Sequence, residues 1–168
     1  KEKLYDAGFV KGQTDLPLLV RMDNLKLLKP QDIIKDYRPK ALKGTQVLKE
    51  GEKAPAPIKQ NRQIVTEKLR DEWGDFVAWN LDTNGPEVIT RDDAAISKNY
   101  ALEGEFTVQH AASGEKIRAR PVFDLVKEHA SHFTPEVVSD ICHVSKAAVI
   151  ELGREIAKNK SKVLIAVG

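Results

Sequence analysis

A strand–turn–strand pattern near the middle of the chain limits the possible folds more than any other feature. Residues 76–81 read Phe-Val-Ala-Trp-Asn-Leu, an alternating, aromatic-rich run that favours a β-strand. The pair Asn84-Gly85 follows, and it tolerates the positive φ that a tight turn requires. Residues 87–90 can then return as the partner strand. We therefore expect an antiparallel hairpin here.

A second hairpin is predicted farther along the chain. Residues 104–110 and 116–120 form its two strands, and Gly114 lies between them as the natural turn residue. Both hairpins fall in the middle of the chain, so this part is expected to be built from antiparallel β-structure.

The first part of the chain predicts short elements. Apolar residues within 4–10 have helical spacing, and Gly12 suits the end of that helix. Because the first five residues read as the middle of a helix, we expect the helix to extend back to them. Two short strands over 18–21 and 25–28 and a turn over 29–32 are expected next.

The last part of the chain changes from strands to helices. One helix is predicted from Val122 to about His129, and a second begins after Thr134 as its N-cap. Residues 140–144 are expected to connect it to a longer helix that Ser145 caps. The apolar run at 163–167 then predicts a buried strand.

These patterns together predict a mixed α+β fold of the α/β class, with β-hairpins followed by helix–helix–strand. Residues 35–62 are rich in Lys, Pro and Gly and predict an exposed loop, which is long for a compact domain. We expect three stretches. Residues 1–34 belong to an α/β domain, 35–120 form a loop and hairpin insertion, and 121–168 enter a cofactor-binding domain.

Charge and hydropathy exclude several classes of protein. The 168 residues carry 27 basic and 25 acidic side chains, which leaves a net charge of +2. This near-balance gives no general attraction for nucleic acid or anionic lipid. No apolar run approaches the roughly 18–20 residues that span a bilayer, so direct membrane insertion is not expected. Cys142 is the only cysteine, which excludes an internal disulfide and a cysteine-held cluster, and it is expected to be a small buried hydrophobe.

Candidate catalytic residues are few. His129 and His132 are three apart on a predicted helix, which suits a metal, but no carboxylate at ligand spacing accompanies them. Two solvated histidines at a helix end are the simpler interpretation. Ser113 lacks the Gly-x-Ser-x-Gly pattern of a nucleophile elbow and is predicted to be a turn residue. Asp92 and Asp93 are adjacent, so their side chains diverge and predict a capping or turn role.

One residue is a candidate for cofactor binding. Gly168 ends the predicted strand at 163–167. Open α/β sheets bind nucleotides and large cofactors at the carboxyl ends of their strands, where glycine lets the backbone approach phosphate. Gly168 is therefore the candidate cofactor-binding residue, and no catalytic or metal-binding residue is assigned.

Two stretches at opposite ends of the chain carry a resemblance to a known family. The matching segments are 2–6 (Glu-Lys-Leu-Tyr-Asp), Phe9, 13–21 (Gln-Thr-Asp-Leu-Pro-Leu-Leu-Val-Arg), 120–125 (Arg-Pro-Val-Phe-Asp-Leu), 133–136 (Phe-Thr-Pro-Glu), 144–145 (Val-Ser), Ile150, 152–157 (Leu-Gly-Arg-Glu-Ile-Ala) and 163–168 (Val-Leu-Ile-Ala-Val-Gly). They resemble the catalytic subunits of molybdopterin oxidoreductases of the dimethyl sulfoxide reductase superfamily. The nearest group is the nitrate reductase and nitrite oxidoreductase branch.

The resemblance also shows a departure. The sequence Ile141-Cys142-His143-Val144 stands where the family often has a Thr-Gly-Val turn. The local turn geometry at this place is therefore open.

The resemblance implies an internal segment of a larger catalytic subunit, which is inactive by itself. The intact enzyme would hold a molybdenum bis-pterin guanine dinucleotide and an iron–sulfur cluster, and would transfer oxygen atoms on nitrate, nitrite or a related oxyanion in anaerobic respiration. This segment would be scaffold for the cofactor cleft, with Gly168 as a backbone contact to the pterin dinucleotide. The implied partners are the remainder of the subunit and an iron–sulfur electron-transfer subunit, with a haem subunit left open.

Two alternatives remain at this point. The chain also fits a free-standing α+β interaction module without catalysis, whereas a small hydrolase finds no nucleophile–base pair in the sequence. The resemblance implies a prokaryotic protein, in a periplasm-like compartment or on the cytoplasmic face of the membrane. The sequence does not decide between these two compartments.

Overall fold

Short antiparallel strand pairs organise the centre of the molecule in a computed structural model that describes residues 4–39, 45–53, 63–90 and 98–159. The strands are β1 (Leu19–Arg21), β2 (Thr45–Leu48), β3 (Gln63–Thr66), β4 (Phe76–Asn80), β5 (Gly85–Ile89), β6 (Phe106–Gln109) and β7 (Lys116–Pro121). The helices are α1 (Ala7–Gln13), α2 (Pro30–Ile33), α3 (Glu67–Trp73), α4 (Val122–Ala130), α5 (Pro135–Cys142) and α6 (Lys146–Asn159). The predicted mixed α/β fold class is confirmed within these residues.

Both predicted hairpins are confirmed. β4 and β5 pair antiparallel across the Asn84-Gly85 turn, and Asn84 takes the positive φ of 50° that the turn requires. β6 and β7 pair antiparallel, and Gly114 lies in their turn with φ of 73°. β7 also pairs with β1, so the three-stranded sheet has the order β1-β7-β6.

The core lies where these strand pairs meet. A single bridge from Leu18 to Ala78 connects the start of β1 with β4. One buried cluster packs Leu19, Leu28, Val77, Val108, Ile117 and Ala119 together, and a second packs Leu18, Ala78, Ile89 and Tyr100. Trp79 packs against the first cluster and stacks on Phe106 with ring centroids 4.5 Å apart. Non-local strand contacts therefore build the hydrophobic core.

Three predictions for the first part of the chain are wrong in detail. The first helix begins at Ala7, because the Asp6 side chain accepts the backbone N–H of Phe9 as an N-cap. It ends at Gln13, one residue past Gly12. The predicted strand at 25–28 is reduced to a single antiparallel bridge from Leu27 to Val20, because Leu25 has φ of 56° and the chain turns back tightly there.

The predicted turn at 29–32 is instead a short helix, α2. Pro30 occupies its first turn, and the backbone N–H of Lys29 donates to the Asp32 carboxylate over 2.9 Å. Proline at the start of a helix costs no hydrogen bond, because its missing N–H would have no partner there. The sequence signals for a turn and for a one-turn helix are therefore the same here.

Part of the predicted loop at 35–62 is also a strand. β2 pairs with β3 in parallel, with Thr45 opposite Gln63 and Leu48 opposite Thr66. Leu48 is buried. A parallel pair requires a long connection between its strands, so the pairing partner lies far along the chain and the local composition does not reveal it.

The helical part follows the predicted order. Val122 starts α4, and the Thr134 hydroxyl accepts the Val137 N–H at the start of α5. The Ser145 hydroxyl accepts the Ala148 N–H over 3.2 Å at the start of α6. α5 runs through Cys142, so the predicted connection at 140–144 is shorter than expected. The predicted strand at 163–167 lies outside the described residues.

The sequence departure from the family pattern has a structural counterpart at the end of α5. His143 takes the left-handed conformation, with φ of 54° and ψ of 35°. Glycine is favoured at this position of a helix because it has no Cβ to clash. His143 therefore adopts the left-handed conformation although its Cβ makes that conformation unfavourable.

We expect His143→Gly to raise the free energy of unfolding by about 1 kcal/mol, because it removes the left-handed cost of a Cβ. Urea denaturation followed by circular dichroism measures the change. As a control, Ala148→Gly places glycine inside α6, where it should lower stability by roughly 0.5–1 kcal/mol. Equal effects of the two glycines would contradict the assignment of strain to His143.

A buried ion pair also joins α3 to β4. The Arg70 guanidinium donates to the Asp75 carboxylate over 2.7 Å, and both side chains are almost completely buried. We expect Arg70→Met to lower the free energy of unfolding by about 3–5 kcal/mol, because the carboxylate loses its buried counter-charge. Urea denaturation measures this. Arg118→Met is the control, because Arg118 forms an exposed pair with Glu105 that contributes about 1 kcal/mol or less.

Candidate functional site

The predicted cofactor residue lies outside the described part of the chain. Gly168 and the apolar run at 163–167 follow the last described residue, Asn159. Asp92 and Asp93 also lie outside it. The assignment of Gly168 therefore stays a prediction.

His129 lies in the last turn of α4, but His132 lies beyond Ala130, where the helix ends, so the prediction that both histidines lie on one helix is wrong. The backbone N–H of His132 donates to the carbonyl of His129, and the His129 ring meets Phe133 edge to face at 5.5 Å. Among the described residues, no group of three or more His, Cys, Asp and Glu side chains is placed to hold a metal. His129 contributes an aromatic contact to the turn after α4.

Ser113, His110 and Glu115 form an exposed polar group in the β6–β7 turn. The Ser113 hydroxyl lies 3.1 Å from His110 Nδ1 and donates to the Glu115 carboxylate over 3.1 Å. The backbone N–H of Ser113 also donates to His110 Nδ1 over 3.2 Å. In a hydrolytic triad the carboxylate must orient the imidazole, but here the carboxylate binds the serine. This group therefore closes the hairpin turn, as predicted for Ser113.

The buried carboxylate of Asp75 organises a polar cluster that the sequence analysis missed. Asp75 accepts from Arg70 over 2.7 Å and from the Tyr37 hydroxyl over 2.5 Å. Arg70 also donates to the carbonyl of Gly74. Tyr37 and Asp75 are far apart in sequence, so no local pattern announces the contact. The cluster fixes the segment around Tyr37, α3 and β4 relative to one another.

Lys29 lies at the edge of this cluster. Its ammonium group sits 3.8 Å from the centre of the Phe76 ring, a cation–π contact. Burial lowers the pKa of Lys29, and the negative charges of Asp75 and Asp32 oppose that shift. The described groups around Asp75 are already paired with one another. We therefore interpret the cluster as a structural anchor.

The three C-terminal helices show a different arrangement, because none of α4, α5 and α6 has a buried residue. Large aliphatic side chains instead point into solvent on α5, on α6 and in the connection between them. We call this set the α5–α6 surface: Val137, Ile141, Val144, Leu152 and Ile156. Ile141 and Leu152 are the most exposed of the set, at 66% and 63%. These helices present apolar side chains without a described neighbour to cover them.

The spacing of these residues makes each helix amphipathic. Val137 and Ile141 are four apart on α5, and Leu152 and Ile156 are four apart on α6, so each pair shares a helix face. Burying an aliphatic side chain of this size contributes about 1.5–3 kcal/mol. An exposed set of five is therefore typical of an interaction surface and unfavourable for a face that stays in water.

Cys142 belongs to this exposed region as well. The prediction that it is buried is wrong, because α5 buries none of its residues and the cysteine is exposed. Its neighbour Ile141 belongs to the α5–α6 surface. None of the described helices is long and apolar enough to cross a membrane.

An ion pair joins the two helices at the start of α6. The Lys146 ammonium binds the Glu136 carboxylate at the N-terminus of α5. This hydrogen bond and the local backbone N–H lower the pKa of Glu136 from its ordinary 4.5 to about 2. Both side chains are largely exposed, so solvent screens the interaction. The pair positions α6 on α5 but leaves the apolar side chains uncovered.

The geometry of the described residues therefore supports an interaction surface, and it shows a structural ion cluster in place of a catalytic centre. No family model matches the chain. Two curated proteins are similar to it over nearly its whole length, and both are alpha subunits of reductases.

The first is the perchlorate reductase subunit alpha of Dechloromonas aromatica, 31% identical over 175 residues, which covers 100% of this chain. The second is the respiratory nitrate reductase subunit alpha of Haloferax mediterranei, 27% identical over 179 residues and 97% of the chain. The chain spans only 17% and 15% of the lengths of these two relatives. The family resemblance inferred from the sequence is confirmed by both.

We expect the Glu136–Lys146 contact to stabilise the α5–α6 pair in a pH-dependent way. The pKa of Glu136 is lowered on folding, so its contribution is complete above about pH 4.5 and is lost as the pH falls toward 2. Glu136→Gln should lower the thermal midpoint at pH 7 and make little difference near pH 2. Scanning calorimetry at both pH values measures this.

The control for this prediction is substitution of the other member of the ion pair. Lys146→Gln should produce the same loss at pH 7, and the double variant should lose no more than either single variant. Additive losses would show that the two side chains act independently.

Proposed function

This chain is related to the catalytic alpha subunits of molybdopterin oxidoreductases of the dimethyl sulfoxide reductase superfamily, and on that premise we propose that it forms part of such an enzyme. The reaction proposed for the intact enzyme is two-electron oxygen-atom transfer on an oxyanion of the nitrate, nitrite or perchlorate kind. The two relatives support the substrate class, because their names assign them to perchlorate and nitrate.

The cofactors of this proposal are a molybdenum bis-pterin guanine dinucleotide and an iron–sulfur cluster. When bound, the molybdenum group would supply the site at which the oxygen atom is exchanged. Among the described residues, no group of three or more His, Cys, Asp and Glu side chains could hold a metal by itself. As the resemblance implies, we propose that the rest of the subunit supplies the molybdenum ligand. Gly168 remains the proposed backbone contact of this segment with the pterin dinucleotide.

The proposed role of the segment itself is scaffold. The observation that carries this role is the α5–α6 surface, an exposed aliphatic set on helices with no buried residue. Scaffold helices bury such a face against their neighbours in the folded subunit. The anchored strands of the other half would support these helices from behind the cofactor cleft.

The proposal includes the domain boundaries inferred from the sequence. Residues 1–34 would belong to an α/β domain, 35–120 to a loop and hairpin insertion, and 121–168 to the domain that holds the cofactor. β1 from the first stretch and β7 from the second share one sheet, so an insertion at 35–120 would be attached to the first stretch by backbone hydrogen bonds.

The proposed partners are the remainder of the subunit and an iron–sulfur electron-transfer subunit, with a haem subunit as a further member. We propose a prokaryotic enzyme of anaerobic respiration, in a periplasm-like compartment or on the cytoplasmic face of the membrane. Oxidoreductases of this kind pass electrons between subunits, so an electron-transfer partner is part of the same proposal.

The test is the native full-length protein purified with its partners. We expect it to contain molybdenum and to reduce nitrate or perchlorate with a reduced dye as electron donor. Metal analysis and the rate of dye oxidation measure the two properties. Protein from cells grown with tungstate in place of molybdate is the control, and its activity should fall with its molybdenum content.

Two outcomes would contradict the proposal. A pure full-length protein without molybdenum and without oxyanion reductase activity would favour the free-standing interaction module. Activity that is independent of molybdenum content would contradict the molybdopterin assignment. It would still be consistent with an oxidoreductase.

A further inference from the structure

We propose that the α5–α6 surface docks against an aliphatic face contributed by the remainder of the same polypeptide chain, with Ile141 and Leu152 as its central anchors. This inference rests on the proposed function, because it requires a subunit much longer than the segment. It goes further by naming the residues that make the contact and the chemistry of what they contact.

The first step is the contrast between the two halves of the described structure. The strands have their own core, in which Leu19, Val77 and Ala119 are completely buried. α5 and α6 bury no residue among those described, whereas α4 packs Val122 against the second cluster. The strands are therefore stabilised internally, and α5 and α6 depend on a neighbour for burial.

The second step is the chemistry of the exposed set. All five members of the α5–α6 surface are aliphatic, and their i, i+4 pairs give each helix an apolar face. Charged residues flank this set: Glu136 binds Lys146, Lys158 binds Glu155, and Asp140 and Glu151 adjoin Ile141 and Leu152 in the sequence. The five aliphatic side chains themselves offer no charge to an acidic or basic partner. The complementary surface is therefore aliphatic and uncharged.

The lengths of the two relatives indicate what covers the α5–α6 surface. The chain spans 17% of one relative and 15% of the other, so most of each relative's length is available to cover this surface. An intrachain contact forms without the entropic cost of association between separate molecules. Permanent contacts of this kind are rich in aliphatic residues, whereas transient ones are more polar. The remainder of the chain is therefore favoured over a second copy or a separate subunit.

Cys142 supplies a direct probe, because it is exposed here and adjoins Ile141. In the native full-length subunit, purified without partner subunits and held at a concentration where it is monomeric, we expect a maleimide to modify Cys142 at least about tenfold more slowly than after denaturation. Peptide mass spectrometry identifies the modified cysteine. The control is Lys158→Cys, which samples the charged side of α6 and should react quickly in the native protein.

A second measurement tests the anchors themselves. Ile141→Ser and Leu152→Ser should each speed the modification of Cys142 in the full-length subunit, whereas Glu151→Ser on α6 should leave the rate unchanged. If either anchor variant fails to fold, the labelling of the unchanged subunit still decides the proposal.

Each alternative predicts a different labelling result. Fast modification of Cys142 in the native monomeric subunit would overturn the proposal. Protection that appears only as the subunit dimerises would assign the surface to a second copy, and protection only after the electron-transfer subunit is added would assign it to that partner. Either result would replace the occupant named here.

Molybdenum analysis of the same preparation separates this inference from the proposed function. A subunit that lacks molybdenum but protects Cys142 would contradict the molybdopterin proposal and keep the docking. A molybdenum-loaded subunit with a freely reactive Cys142 would support the proposed function and contradict the docking proposal.

Discussion

The arrangement of the strands depends on a buried carboxylate that must be paired. Asp75 is completely buried, and Arg70 and Tyr37 both donate to it. A buried charge without partners would cost several kcal/mol, so the three residues must stay together when the chain folds. Because they come from three separate segments, this one carboxylate holds α3, the segment around Tyr37 and the start of β4 in place. β4 in turn contributes Val77 to one hydrophobic cluster and Ala78 to the other.

The strand half and the helical half of the described structure are stabilised by different interactions. The strand half combines the ion cluster with buried aliphatic contacts, although Phe9 and Leu25 are also exposed. Val122 of α4 packs against this core, whereas α5 and α6 have caps from Thr134 and Ser145 and the exposed Glu136–Lys146 pair. Caps and surface ion pairs define where helices begin and how they meet, but they contribute little compared with burial. The uncovered aliphatic residues support the proposed role of this segment as supporting structure in a larger subunit.

The sequence predicted local structure correctly where a pattern fits one conformation, and incorrectly where the same pattern fits several conformations or where the structure depends on a distant segment. The Asn84-Gly85 turn, the Gly114 turn and the Thr134 cap each allow one local geometry, and the structure has them. Pro30 fits both a turn and a one-turn helix, so the short α2 was missed. β2 was missed because its partner β3 is distant. Cys142 was misassigned because a lone cysteine is usually buried, whereas the structure exposes it at the end of α5.

The family, the two hairpins and the order of the three C-terminal helices followed from the sequence, because they rest on motifs and periodicities that are local to a few residues. The ion cluster at Asp75, the parallel pairing of β2 with β3 and the exposure of Ile141 and Leu152 were decided only by the tertiary structure. Each of these depends on which distant segment lies beside a residue. A local pattern specifies conformation, but it does not specify the neighbour that pairs a charge or covers an apolar side chain.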